Sequence, residues 1–238
     1  MVQFEGGRNR WCEAVSKGRS IVFLDTTHGT NKFGYHLGFW LIITATGVTS
    51  PIAYSLQRLQ KTEYFADLYA KFESIFGVQP EVICTDRDAA MCSALAVWPS
   101  CKQMVCVWHL SQNFEGQLNK LRVSGRRKIM KFFWSIVKEH DWSFRSKLEE
   151  SLVKLRDMAL KNSRCSQSAA AKKIRDGFQT WMDVLWSTRC KWATCYTARH
   201  FCGGTMTTGT FSLSLYLTSQ FMLTSQSFNT NNTNQFNQ

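Results

Sequence analysis

The chain has 238 residues, of which 44% are apolar and 19% charged, with a formal net charge of +12. This composition excludes a wholly disordered chain, a collagen and a small disulfide scaffold, and no apolar run reaches the 18 residues that a membrane-spanning helix needs. The polar opening from Met1 to Arg10 lacks the apolar stretch of a secretory signal. An intracellular location is therefore expected, with the nine cysteines as thiols in a reducing compartment.

Ile21 to Leu24 is a short apolar run ending at Asp25 and predicts a buried strand. Phe33 to Thr46 and Val48 to Leu56 predict two more strands, turned at Gly47, and the three together an antiparallel meander. In Thr62 to Phe76 the residues Phe65, Leu68, Tyr69, Phe72 and Phe76 recur at helical spacing, and Gly77 supplies the C-terminal cap. After Pro80, Val82 to Cys84 predicts a fourth strand ending at Thr85-Asp86. Reached across a helix, it should lie parallel to its neighbour. A helix over Asp88 to Val97, a strand over Gln103 to Val107 and a helix from His109 to Leu121 follow. Three amphipathic helices come next, over Arg126–Glu139, Ser146–Lys161 and Ala169–Trp186. The Asn- and Thr-rich end, from about residue 218, is expected to be disordered.

Charge is distributed unevenly. Met1 to Glu115 carries 10 Lys/Arg and 10 Asp/Glu, whereas Gly116 to His200 carries 19 and 7, and no charged side chain occurs beyond it. The basic half points to an anionic partner, nucleic acid first, or else to solvated helix faces. Arg126, Arg127, Lys128 and Lys131 are its densest cluster and the candidate DNA-binding residues. The 9 Trp and 17 Phe read as core rather than as a base-stacking platform.

Asp25 and Asp86 each follow a short apolar strand. On parallel neighbouring strands both carboxylates would leave one sheet edge, and two like charges there call for a divalent cation. Carboxylate oxygens suit Mg²⁺ or Mn²⁺. A simpler use for each Asp is to cap the turn that follows it, and both readings stand at this point. Cys106 and His109 supply two of the four ligands a structural zinc requires, and Cys101 adds only a third. Cys190, Cys195, His200 and Cys202 form a looser group. Zinc is not expected, and packing thiols are the default.

Asp25-Thr-Thr-His28-Gly-Thr30-Asn31 resembles the D-x-T-H-x-T-N stretch of Mutator-like-element (MULE) transposases. Thr85-Asp86 resembles that family's second acidic motif, and Cys106-Val-Trp108-His109-Leu-Ser-Gln-Asn113 its C-x-W-H-x-x-x-N signature. Trp192-Ala-Thr-Cys-Tyr196 and Phe201-Cys-Gly-Gly-Thr-Met-Thr207-Thr208 resemble the stretch leading to the third acid. Plant far-red-response transcription factors, domesticated from such elements, are similar over the same stretches. The resemblance implies an α/β, RNase H-like mixed sheet with flanking helices and a helical insertion. It also implies a metal triad of acids that cuts DNA and joins its 3′ end to a target, in the nucleus. Asp25 and Asp86 are then catalytic metal ligands, and His28, Asn31, Cys106 and His109 family signature residues. The implied partner is DNA, with no membrane and with room for a homo-oligomer.

The implied organisation is an N-terminal segment (1–18), an RNase H-like core (19–122), a basic insertion (123–189), a remnant of the third-acid region (190–217) and the polar tail (218–238). The segment before the first strand is too short for the DNA-binding zinc module that such proteins usually carry, so an isolated, truncated catalytic domain is expected. Ser212 stands where the family has its glutamate, and no acid follows Asp183. Glu139, Glu149, Glu150, Asp176 and Asp183 are the available substitutes. Two functions follow: an impaired transposase or nuclease, or a catalytically dead DNA-binding or transcription-regulatory module.

Overall fold

The computed structural model describes residues 1–18, 20–27, 33–44 and 48–197. The fold is α/β, with six strands and eight α-helices among the described residues and with both antiparallel and parallel pairing. It divides into two compact units. Among the described residues, Met1–Glu81 with Ser93–Cys101 make the first, and Val82–Cys92 with 102–197 make the second. No helix among the described residues is long and apolar enough to cross a membrane.

The first unit holds β1 (Val2–Gln3), α1 (Gly7–Ser16), β2 (Ile21–Thr27), β3 (His36–Ile43), β4 (Thr49–Gln57) and α2 (Thr62–Phe76). β2, β3 and β4 form the expected antiparallel meander, and β1 adds to the outer side of β4. The turn expected at Gly47 lies outside the described residues. α2 has the predicted bounds and buries Phe65, Leu68, Tyr69, Phe72 and Phe76. Its core is aromatic: Phe72 stacks on Trp40 of β3 with ring centroids 4.7 Å apart, and Tyr69 stacks on Trp98 at 4.8 Å.

α1 has no counterpart among the expected elements. Only Gly7, Trp11 and Ala14 are buried on it, a stripe too thin to stand out in a polar segment. Gly7 is there because a Cβ would come within 2.3 Å of the Ile52 carbonyl oxygen. α2 ends on Gly77, which caps it at φ 80° in the left-handed region. Gly77→Ala should lower stability by about 1–2 kcal/mol, read as a shift in the urea midpoint.

The second unit holds the parallel pair β5 (Val82–Thr85) and β6 (Lys102–Val105); α3 (Ala89–Ala94) follows β5, and the 3₁₀ turn at Leu95–Val97 that comes next belongs to the first unit. α4 (Val107–Lys120), α5 (Arg126–Val137), α6 (Arg145–Lys161), α7 (Ala169–Ser187) and the short α8 (Thr194–Thr197) follow. One core runs through them, in which the Phe114 ring lies 5.0 Å from Phe133 and 5.5 Å from Trp181. Leu148, Leu152, Leu155 and Ala159 bury the predicted stripe of α6. The tail beyond residue 197 lies outside the described residues.

Candidate active site and nucleic-acid interface

In the second unit, β5 and β6 run parallel with Thr85 opposite Val105. The next residue of each strand, Asp86 and Cys106, therefore leaves the sheet at the same carboxyl edge, where open α/β sheets bind ligands. The Cys106 backbone N–H donates to the Thr85 carbonyl (2.7 Å), which ties the two exits together. Asp86 is half-buried, and its Oδ1 accepts the Asp88 backbone N–H at 3.0 Å. Asp88 in turn accepts from the backbone N–H groups of Ala90 (2.9 Å) and Met91 (3.0 Å), capping α3. Part of the simpler reading thus holds: Asp86 spends one oxygen on its turn, while the helix cap is Asp88.

Behind this edge stands Gln103. Its Nε2 donates to Thr85 Oγ1 (3.1 Å) and to Cys92 Sγ (2.9 Å), and its Oε1 accepts from Lys191 Nζ (3.0 Å). Lys191 thus brings a positive charge close to the residue that precedes Asp86. Arg87 Nη1 is buried and lacks a hydrogen-bond partner among the described residues. Neither Lys191 nor Gln103 was legible as part of this edge, because 88 positions separate them in the chain.

Cys106 is the N-cap of α4 and His109 lies in its first turn, so the C-x-x-H spacing puts both at the strand-to-helix junction. Cys106 is buried, and the Trp108 and His109 rings meet edge-on with centroids 4.8 Å apart. Cys190 is exposed and Cys195 buried. Burial pushes the Cys195 thiol above its ordinary pKa, as suits a packing residue. His200 and Cys202 lie outside the described residues.

Asp25 belongs to the first unit. β2 extends to Thr27, so Asp25 lies within the strand, opposite Phe39, rather than at its end. The antiparallel pairing with β3 carries the strand three residues past the apolar run. Leu24 pairs with Trp40 on the side that packs under α2, so Asp25, one residue on, takes the opposite face together with Phe39 and Tyr54. Asp25 is half-buried there.

His28 and Asn31 lie outside the described residues, as does Ser212. Glu149, Glu150, Asp176 and Asp183 are exposed on helices, and the half-buried Glu139 accepts the Asp141 backbone N–H at 3.0 Å. Among the described residues no three His, Cys, Asp or Glu side chains come together as a metal-holding group.

Residues 21–113 match the family model of the MULE transposase domain. The chain carries a MULE transposase domain. No curated protein matches the chain. The matched segment of the MULE domain begins with β2, contains Asp25, Asp86, Cys106 and His109, and ends at Asn113 in α4. A transposase domain implies interaction with DNA, and such domains generally use divalent metal ions.

The basic helices lie beyond the matched MULE segment. Arg126 and Arg127, at the start of α5, line a cavity of about 820 Å³, whereas Lys128 and Lys131 are exposed outside its lining. Arg122 and Arg164 line it too, although they are 42 positions apart in the chain and carry no local signal. The cavity reaches back to Trp108, beside His109.

Proposed function

We propose that the chain is the catalytic domain of an RNase H-like, DDE-type transposase, in which Asp25 and Asp86 hold a divalent cation for DNA cleavage and strand transfer in the nucleus. The missing third acid impairs that activity. The observation that carries the reading is the MULE match itself, which spans both acids in order. The element order β2-β3-β4-α2-β5-α3-β6-α4, with further helices after it, supports the architecture.

The donor set fits the cation. Mg²⁺ and Mn²⁺ take oxygen ligands, and Mg²⁺ is commonly held by one or two carboxylates together with substrate phosphates. Asp86 engages Oδ1 in its turn, and among the described residues Oδ2 accepts no hydrogen bond. When bound, such a cation supplies charge neutralisation at the phosphate being cut. The chain's own residues do the rest. The half-buried carboxylates of Asp25 and Asp86 would hold the cation, and Arg126, Arg127, Lys128 and Lys131 would hold flanking phosphates. Cys106 leaves the sheet at the same edge as Asp86, and His109 follows in the first turn of α4.

One specific observation favours a second reading, a DNA-binding or regulatory module without cleavage. A serine stands at 212, where the MULE resemblance places a glutamate. A neutral hydroxyl is a poor substitute for a carboxylate beside a divalent cation.

Plasmid nicking separates the two readings. Slow nicking in Mg²⁺ that stops in EDTA is the result expected for the transposase, and salt-sensitive binding with no nicking would establish the second. In either case, neutralising Arg126, Arg127, Lys128 and Lys131 together should weaken duplex binding. The slope of log affinity against log salt should fall by about 1 for each phosphate that is no longer neutralised. An unchanged slope would mean that these side chains are only a solvated face.

A further inference from the structure

The cavity at the start of α5 has features that gripping a duplex backbone does not require. Four arginines line it, Arg122, Arg126, Arg127 and Arg164, and among the described residues none pairs with a carboxylate. A single acid, Glu115, stands in the lining. Between Gly116 and His200 the chain has 9 arginines and 10 lysines, yet every cation facing this cavity is an arginine. Arginine presents a planar fork that matches phosphate oxygens, whereas lysine is a point charge. The first turn of α5 shares the cavity, and no side chain caps it.

The second feature is aromatic. Trp108 and Trp134 line the same cavity and are only half-buried, while Trp98 and Trp192 are sealed into cores. Lys138 sits over the Trp134 ring at 5.7 Å, so Trp108 is the better stacking surface. At about 820 Å³ the cavity falls within the range of ligand pockets, about 300–1,000 Å³. It is sized for one or two nucleotides rather than for a duplex.

We propose that this cavity binds an unpaired stretch of single-stranded DNA, with phosphates on Arg122, Arg126, Arg127 and Arg164 and a base stacked on Trp108. Aromatic stacking beside a basic track is how proteins hold single strands without reading sequence. The expectation that the tryptophans serve only as core is thereby revised for Trp108. Its neighbours in space are arginines from α5 and from the segment after α6, which no local sequence pattern joins. From the preceding reading the proposal takes only that the partner is DNA.

The test is fluorescence anisotropy on the full chain in EDTA, with a labelled 12-residue oligothymidylate and a 12-base-pair duplex. The single strand should bind about tenfold tighter than the duplex. Trp108→Leu should weaken single-strand binding by about five- to tenfold and leave duplex binding within twofold, while Trp108→Phe should retain most of it. Arg164→Gln, an exposed position that does not endanger folding, should weaken single-strand binding and lower its salt slope. Equal affinity for the two DNAs would overturn the proposal, as would equal losses on both in Trp108→Leu or Arg164→Gln, or full competition by inorganic pyrophosphate. Single-strand binding that persists without any Mg²⁺-dependent nicking would sink the transposase reading but not this one. Nicking without a single-strand preference would do the reverse.

Discussion

Asp25→Asn and Asp86→Asn should each reduce Mg²⁺-dependent plasmid nicking by about 100-fold or more, and the double variant should be no worse than the weaker single, because residues that act as a unit are not additive. Asparagine keeps the shape of the side chain and a carbonyl oxygen but removes the charge that holds a cation. The Asp88 N–H, now 3.0 Å from Asp86 Oδ1, still finds an acceptor in Asp86→Asn. The turn after β5 and the cap on α3 should therefore survive, and thermal melting should be unchanged within about 0.5 kcal/mol. Duplex binding in EDTA should be unchanged or slightly tighter, since one negative charge is lost. Nicking that persists in the double variant would show that the acids do not hold the cation. The converse change, Ser212→Glu, should raise nicking by about tenfold, within the 10–100-fold by which changes around a metal act. A Ser212→Glu protein with no gain would show that position 212 does not supply the missing ligand.

Phe72→Ala should destabilise the first unit by about 3–5 kcal/mol, a large part of the 5–15 kcal/mol typical of a domain. Phe72 is fully buried and packs against four other rings: Trp40 at 4.7 Å, Phe76 at 4.5 Å, Trp11 at 5.5 Å and Trp98 at 5.6 Å. Removing it leaves a void between α2, β3 and α1 that rigid rings fill poorly. The consequence reaches the site, because Trp40 pairs with Leu24, the residue before Asp25. Urea unfolding should show the loss, and Phe33→Ala, at a position 71% exposed, should move the midpoint by less than about 0.5 kcal/mol. A Phe72→Ala protein as stable as the parent would mean that the aromatic cluster is not the keystone of this unit.

Much of this architecture can be read in the linear chain. α2 was legible to the residue because five apolar side chains at helical spacing and a following glycine are a complete local signal. The strand–helix alternation after Pro80 likewise announces the parallel pair. α1 was not legible, since three buried positions in a polar segment reveal themselves only once β3 and β4 cover them. Asp25 was expected at a strand end because the apolar run stops at Leu24, whereas β3 goes on pairing through Thr27. Hydrogen bonding to a neighbour, not hydrophobicity, ends that strand.

By itself the sequence determined the class of fold, the helical stripes and the acids, cysteine and histidine that carry the MULE resemblance, because each depends on residues close together in the chain. Tertiary structure alone decided that Asp86 and Cys106 leave the same edge, that Lys191 reaches Gln103, and that Arg122, Arg126, Arg127 and Arg164 meet beside Trp108. Those meetings join distant positions. They follow from how apolar faces are buried against one another, so no spacing along the chain encodes them.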